Sequence, residues 1–274
     1  MNRARSETLV SEAMSVEALR ARERAEISRS DVEAELIAEA RLLADEANVS
    51  RYLDPPEDTP FPLEYAFHLL GDVRGGTVID FGCGSGVNTL LVARRGARVI
   101  GVDVSESLLR VAARRMATNN LAATTTFVAG SAHEVPLRSA SADVVLGIAI
   151  LHHLDLDRVA SETWRLLRAG GRAIFQEPIR SSALLRGLRR LIPYRAPDVS
   201  AYERPLVDAE LARFASRFSH SRGRSFRLPF VSIAELMRLP LRRLRPLYQA
   251  DAALIRTASW LTRYCSVRVL EVTK

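Results

Sequence analysis

Seven residues, Asp80-Phe81-Gly82-Cys83-Gly84-Ser85-Gly86, constrain this chain more than any other stretch. They follow the apolar run Thr77–Ile79 and precede Val87–Arg95, which has helical spacing. A strand that closes on an acid, three alternating glycines and a helix start make a strand–turn–helix unit. Glycines let the backbone turn tightly and approach a ligand with no Cβ in the way. Arg98–Val102 reads as the next strand and runs into Asp103, 21 residues past Gly82. In a parallel sheet, ligands sit at the carboxyl ends of strands, where the strand order reverses. The loop and Asp103 are therefore expected to face one ligand.

The rest of the chain repeats the pattern. Ser105–Thr118 predicts a helix capped by Ser105, Thr124–Ala129 a strand, Asp143–Ile150 a strand, Asp157–Arg168 a helix and Arg172–Gln176 a strand. Short apolar strands alternating with amphipathic helices predict an α/β fold, a doubly wound parallel sheet covered on both faces. Before it, residues 6–47 predict two helices, the second opened by a Ser30/Glu33 capping box. Residues 54–62 hold four prolines and form a connector, and a helix follows over 63–71. Past Pro178, Ser182–Ile192 and Asp208–Ser219 predict helices, and 226–231 and 265–273 strands, the last suited to a closing antiparallel hairpin.

Two ligands compete for the loop. The dinucleotide fingerprint G-x-G-x-x-G/A puts Val87 at its third position, too large for close helix packing, which argues against a nicotinamide oxidoreductase. The observed D-x-G-x-G-x-G suits a ligand without a pyrophosphate. A carboxylate at Asp80 repels phosphate and favours a cationic amino-acid group.

Asp80–Gly86 with Asp103 resembles the class I S-adenosylmethionine-dependent methyltransferases. The likeness extends through Gly130-Ser131-Ala132-His133-Glu134-Val135-Pro136-Leu137, Ser141–Val145, Leu151-His152-His153-Leu154 and Gly170-Gly171-Arg172, over about residues 50–180. It is similar in particular to the small-molecule enzymes that include those of menaquinone and ubiquinone biosynthesis. The resemblance implies a Rossmann-like, seven-stranded, mostly parallel sheet with N-terminal helices and a helical lid inserted after strand 5. It divides the chain into a cap and linker, 1–62, and a methyltransferase core, 63–274, with the lid at about 180–225. The cofactor implied is S-adenosyl-L-methionine, leaving as S-adenosyl-L-homocysteine. Gly82, Cys83, Gly84 and Gly86 would line its methionine part, with Asp80 near the ammonium. Asp103 would take the ribose hydroxyls and Val104 would lie beside the adenine. Ser131 and Ala132 would border the adenine edge, and Ala149 the methyl donor. Ser131 departs from the family, which commonly has an acid there. A hydroxyl accepts a hydrogen bond more weakly than a carboxylate.

The sulfonium already activates the methyl group, so the implied reaction is an in-line displacement governed by positioning. Two groups are catalytic candidates. His153 follows the fourth strand and reads as a general base, or as a histidine bonded to backbone. Glu177 ends the fifth strand and reads as a substrate contact, or as a capping or ion-pairing group. His133 and Glu134 read as structural, and His68 and His220 as non-functional. The histidines lack metal-site spacing, so no metal is expected. Tyr52, Phe61, Tyr65 and Tyr202 read as packing or as an acceptor pocket.

Charge is divided unevenly. Residues 1–179 carry 20 basic and 25 acidic side chains, and residues 180–274 carry 19 and 7, so net charges of −5 and +12 add to the chain's +7. Of 39 basic residues only Lys274 is lysine, which reads as GC-rich bacterial coding or as a selected phosphate-binding surface. The basic third keeps nucleic-acid methylation as the alternative to a small-molecule acceptor. Against it, Ala149-Ile150-Leu151-His152 replaces the Asn/Asp-Pro-Pro-Tyr/Phe segment of many DNA amino-methylating enzymes. A non-catalytic cofactor-binding protein is a further alternative, which the intact loop does not favour. Residues 180–195 raise the expectation of contact with an anionic membrane surface. No apolar run approaches the roughly 20 residues of a membrane span. The N-terminus lacks a signal-like core, and Cys83 and Cys265 stand far apart. A cytoplasmic monomer or homodimer is expected.

Overall fold

A computed structural model describes residues 16–37, 39–180, 182 and 204–274. Its helices are α1 (Val16–Leu36), α2 (Glu46–Leu53), α3 (Pro62–Leu69), α4 (Val87–Arg94), α5 (Glu106–Thr118), α6 (Leu156–Leu166), α7 (Asp208–Ala215), α8 (Pro229–Leu236) and α9 (Leu241–Thr257). Its strands are β1 (Thr77–Phe81), β2 (Arg98–Asp103), β3 (Thr125–Ala129), β4 (Ala142–Ile148), β5 (Leu167–Pro178), β6 (His220–Phe226) and β7 (Val267–Thr273). They form one sheet in the order β3-β2-β1-β4-β5-β7-β6. The pairings among β1 to β5 are parallel, and β7 runs antiparallel to both β5 and β6. This is the seven-stranded, mostly parallel, Rossmann-like sheet that the resemblance implies, and its closing pair is the antiparallel hairpin the late strand suggested.

Successive residues of each central strand enter opposite layers, as the two-residue period of a strand requires. Val78, Val144, Ile174 and Val269 pack on one side with Tyr65, Phe67 and Leu90. Ile79, Val145, Phe175 and Leu270 pack on the other with Leu166 and Phe214. Both faces are covered, which is why these strands read as continuous apolar runs. The helix starts follow their caps. The Ser105 hydroxyl accepts from the Leu108 amide, the Asp155 carboxylate accepts from those of Asp157 and Arg158, and Pro62 opens α3.

Three expectations give way. The two helices foreseen over 6–47, divided at Ser30, are not divided there: α1 passes through Ser30 to Leu36, and a 3-10 turn at Glu39–Arg41 and the start of α2 at Glu46 follow. Ser30 and Glu33 therefore cap nothing; the Ala/Glu/Arg-rich run favours helix throughout, and one serine costs too little to end it. The strand foreseen at 226–231 ends at Phe226, where β6 finishes, and α8 begins at Pro229. Proline fits the first turn of a helix, whose amide is unpaired anyway. Helix α9, with Pro246 inside it, was not foreseen. The helix foreseen over Ser182–Ile192 lies outside the described residues apart from Ser182.

The N-terminal segment is tied to the core by polar links. The Asn119 side chain donates to the carbonyls of Leu42 and Arg115 and accepts from the Ala44 amide. Arg115 reaches the carbonyls of Ser85 and Arg41. The strand order reverses between β1 and β4, which places the site.

Candidate functional site

A cavity of about 190 Å³ opens at the carboxyl ends of β1, β2, β3 and β4. Its floor is Gly82 and Gly84 after β1, Val102–Val104 at the end of β2, Gly130–His133 after β3, and Ala149, Ile150, His153 and Leu154 after β4. Helix α1 roofs it with Leu19, Arg22, Glu23, Glu26, Arg29, Ser30 and Glu33.

The loop is shaped by backbone that only glycine adopts freely. Gly82 has φ +65°, and a Cβ there would meet Ile150 Cδ1 at 2.6 Å. Gly84 has φ +51°, but a Cβ there would meet nothing within 4 Å, since it faces the open cavity. The amides of Gly82 and Cys83 both donate to the Val102 carbonyl (2.8 and 3.1 Å), which fastens the loop to β2. Asp103 completes this join. One carboxylate oxygen accepts from the Gly84 amide at 2.8 Å and the other from the Ser105 amide at 2.9 Å. Each oxygen retains lone pairs for a ligand on the cavity side. Burial, above all, raises the Asp103 pKa, against its backbone hydrogen bonds.

Asp80, Cys83 and Gly86 stand behind this wall. Asp80 is buried, accepts from the Thr89 hydroxyl at 2.6 Å, and has its pKa pushed up to about 7 by desolvation, with Asp103 adding to the effect. Burial raises the Cys83 thiol well above its usual value, so it stays protonated. Gly86, at φ +80°, lets the loop pass α5, where a Cβ would meet that of Ala112 at 2.8 Å. Of the ten residues given a cofactor role, seven line the cavity: Gly82, Gly84, Asp103, Val104, Ser131, Ala132 and Ala149. Ala149 does so from a left-handed φ of +56°, a strained setting for a residue with a Cβ.

Two histidines, His133 and His153, gather under α1. The Nε2 of His133 accepts from the Asp155 amide at 2.9 Å, so its proton sits on Nδ1, which donates to the Ser131 hydroxyl at 2.9 Å. Burial lowers the His133 pKa, which suits this neutral form. Ser131 Oγ is thus occupied as an acceptor and offers its own proton as a donor. His153 lines the cavity with its Nδ1 3.3 Å from a Glu26 oxygen. Glu26 is lowered despite its burial, by hydrogen bonding and charge from His153 and by Arg29.

Glu177 does not reach the cavity wall. One oxygen accepts from the amides of Ile150 and Leu151 (2.9 and 2.8 Å), and the other meets His152 Nδ1 at 2.8 Å. Its carboxylate caps the turn after β4 and orients His152, the second of its two sequence readings. The stripe on α1 was missed entirely. Leu19, Arg22/Glu23, Glu26, Arg29/Ser30 and Glu33 recur at helical spacing, but the stripe is polar, and hydrophobic periodicity does not detect it. Among the described residues no group of three or more His, Cys, Asp or Glu is placed to hold a metal ion.

Comparison with known proteins agrees with this geometry. Residues 79–175 match the profile of a family described as "Methyltransferase domain". The chain is 37% identical over 107 residues to a demethylmenaquinone methyltransferase of Symbiobacterium thermophilum, covering 38% of this chain and 43% of that protein. It is 30% identical over 169 residues to a ubiquinone biosynthesis O-methyltransferase of Nitrosomonas europaea, covering 58% of this chain and 71% of that one. Several further curated relatives are matched over less than half their length. A crystal structure of geranyl diphosphate C-methyltransferase from Streptomyces coelicolor superposes with a TM-score of 0.53 at 16% identity, over 76% of each chain, a likeness of fold alone. The glycine loop and Asp103 lie within the matched residues 79–175, one relative is matched at 30% identity over 71% of its length, and the sheet has the order 3-2-1-4-5-7-6, so the chain belongs to the class I S-adenosylmethionine-dependent methyltransferases.

Proposed function

We propose that this chain transfers a methyl group from S-adenosylmethionine to a small-molecule acceptor of quinone-like, lipid-like or secondary-metabolite type. The observation that carries the reading is the single cavity that gathers Gly82, Gly84, Asp103, Val104, Ser131, Ala132 and Ala149 from four strand ends. The names of the quinone-pathway relatives support the acceptor class.

The residues fit the cofactor. Gly84 leaves open space where a side chain would stand. Asp103 keeps acceptor capacity for two ribose hydroxyls. Asp103, Glu23, Glu26 and Glu33 outnumber Arg22 and Arg29 on the walls, which favours a cationic ligand. When bound, the cofactor supplies a methyl group already activated by its sulfonium. The chain's own part is to bind, orient and exclude water. Gly82 and Gly84 bring backbone close, Val104 and Ala132 flank the adenine, and Ser131 offers it a hydroxyl proton. Asp80 lies beneath the loop, where its raised pKa of about 7 lets a cationic ligand draw it into the charged form, Cys83 and Gly86 hold the loop's shape, and Ala149 borders the acceptor side. His153, held by Glu26, takes a proton where the acceptor must lose one. Glu177 sets the turn that carries His152 and His153.

A cavity of about 190 Å³ falls below the roughly 300 Å³ at which drug-sized sites begin. A nucleoside-sized ligand needs more room than this arrangement gives, and α1, which roofs the cavity, acts as part of the cap over the site. Calorimetry with S-adenosylhomocysteine, followed by tritiated methyl transfer into a cell extract fractionated into lipid, small-molecule, protein and nucleic-acid pools, tests the reading. Binding with label in the organic or small-molecule fraction is expected. No binding refutes the cofactor site, and label in nucleic acid refutes the acceptor class.

A further inference from the structure

We propose that the surface formed by α8 and the start of α9 docks on an anionic lipid bilayer. On α8, Phe230, Ile233, Leu236 and the following Met237 fall at spacings of three, three and one residues, so they share one helical face. All four are exposed, Ile233 by 58% and Leu236 and Met237 each by 67%, while Val231 and Ala234 on the other side are buried. The chain then runs into Arg238, Arg242, Arg243 and Arg245, all exposed. Among the described residues none of these four pairs with a carboxylate. Between Glu210 and Asp251 the sequence holds one acid, Glu235, which pairs with Arg227 at 3.0 Å.

An unpartnered aliphatic face beside a single-sign basic rim is the pattern of a helix lying in a headgroup layer. The apolar side chains enter the acyl boundary, and the guanidinium groups meet phosphates. The charge excludes the alternatives. A two-fold contact between copies would set each arginine cluster near its own image. Single-stranded nucleic acid would want aromatic stacking surfaces rather than Ile233, Leu236 and Met237. The placement gives the contact a use. Phe226 ends β6 opposite Val267, and Val267 stands opposite Pro178, so α8 leaves the sheet at the end where β5 and β4 also finish. The chain therefore enters the docking face at the end of the sheet that carries the cofactor cavity, the end at which an acceptor would enter.

Vesicle flotation tests this without any methyl transfer, so its failure leaves the cofactor reading intact. Wild-type protein floats with phosphatidylcholine vesicles containing 30 mol% phosphatidylglycerol and stays behind with pure phosphatidylcholine. Arg242→Gln/Arg243→Gln/Arg245→Gln weakens binding roughly a hundredfold, on about one kcal/mol per basic residue near an anionic surface. Leu236→Ser/Met237→Ser abolishes flotation while leaving binding to a heparin column unchanged, and both variants keep the wild-type circular dichroism and melting temperature. The proposal is overturned if anionic vesicles bind no better than neutral ones. It is overturned equally if the Leu236/Met237 variant floats like wild type, or if light scattering finds a dimer that this variant dissolves. Bulk tRNA displacing the protein from vesicles with the apolar variant unaffected would assign the patch to nucleic acid and also overturn it.

Discussion

Acids are handled in two ways on the two sides of this sheet. On the cofactor side, Asp80, Asp103 and Glu177 are held by a hydroxyl, backbone amides and a histidine, and among the described residues no arginine or lysine forms an ion pair with them. On the β7–β6 side, carboxylates meet arginines. Glu271 lies between Arg222 and Arg172, Asp208 meets Arg268, and Glu210 pairs with Arg204, which lowers its pKa. Asp251 is the exception there, buried and accepting from the amides of Arg227 and Leu228 at the start of α8. Negative charge on these three acids is left without a cationic partner, although Glu26 on the roof of the same cavity meets Arg29 at 2.7 Å. On the outer side it is cancelled within the fold.

Asp80 offers the largest test of that contrast. Its folded pKa, about 7, lies above that of an unfolded aspartate near 3.9. The folded state then binds more protons than the unfolded state between about pH 4 and 7. Stability therefore falls as pH rises through that window and levels off above it. Asp80→Asn keeps an acceptor for Thr89 and removes the proton linkage. The variant should gain on wild type by about 4 kcal/mol between pH 4 and 8. Thermal melts across that range check this, and parallel curves for the two proteins would break the comparison.

Asp103→Ala comes next. It removes the carboxylate proposed for the ribose, together with its hold on the Gly84 amide. Charge-assisted hydrogen bonds of this kind contribute about 1.5–3 kcal/mol each, so affinity for S-adenosylhomocysteine should fall about a hundredfold or more while the melting transition stays cooperative. Calorimetry reads this directly. Unchanged affinity would move the ligand away from β2.

The two cavity glycines sharpen the same point within one loop. Gly82→Ala combines a left-handed φ with a Cβ 2.6 Å from Ile150, so it should cost about 2 kcal/mol of stability. Gly84→Ala meets open space and should cost about 1 kcal/mol for its φ alone. Its methyl group intrudes on the cavity, so it should weaken S-adenosylhomocysteine binding more than it weakens the fold. Denaturant melts and calorimetry on both variants separate the two roles.

What the sequence disclosed follows the same divide. Gly82, Gly84, Gly86 and Asp103 were legible because the backbone there needs residues of one type at fixed spacing. Ser105 was legible as a cap because its side chain completes a local hydrogen bond. The roles of Asp80 and Glu177 were less so, since a strand-end acid faces a cavity or turns back on its own backbone according to packing that the sequence does not print. On the far side, Phe226-Arg227-Leu228-Pro229-Phe230-Val231 carries apolar residues compatible with strand or helix, and only the place of Pro229 at a helix start decides it. Helix α1 contributes the roof of the site through polar residues, which leave no hydrophobic period to read.

The smallest effect belongs to the outer side, where acid and arginine are already matched. Arg222 is 60% exposed at its side chain and pairs with Glu271, which is nearly buried. Removal of Arg222 would isolate a buried carboxylate if nothing else stood by it, and that would cost several kcal/mol. Arg172 approaches the same carboxylate at 3.8 Å, so Glu271 keeps a counter-charge. Arg222→Ala should therefore cost less than about 1 kcal/mol, the range of an exposed pair, and the loss should shrink further in high salt. Urea melts at low and high sodium chloride measure it. A larger, salt-independent loss would mean that Arg222 alone compensates Glu271, and that the outer acids depend on single partners as the inner ones depend on a ligand.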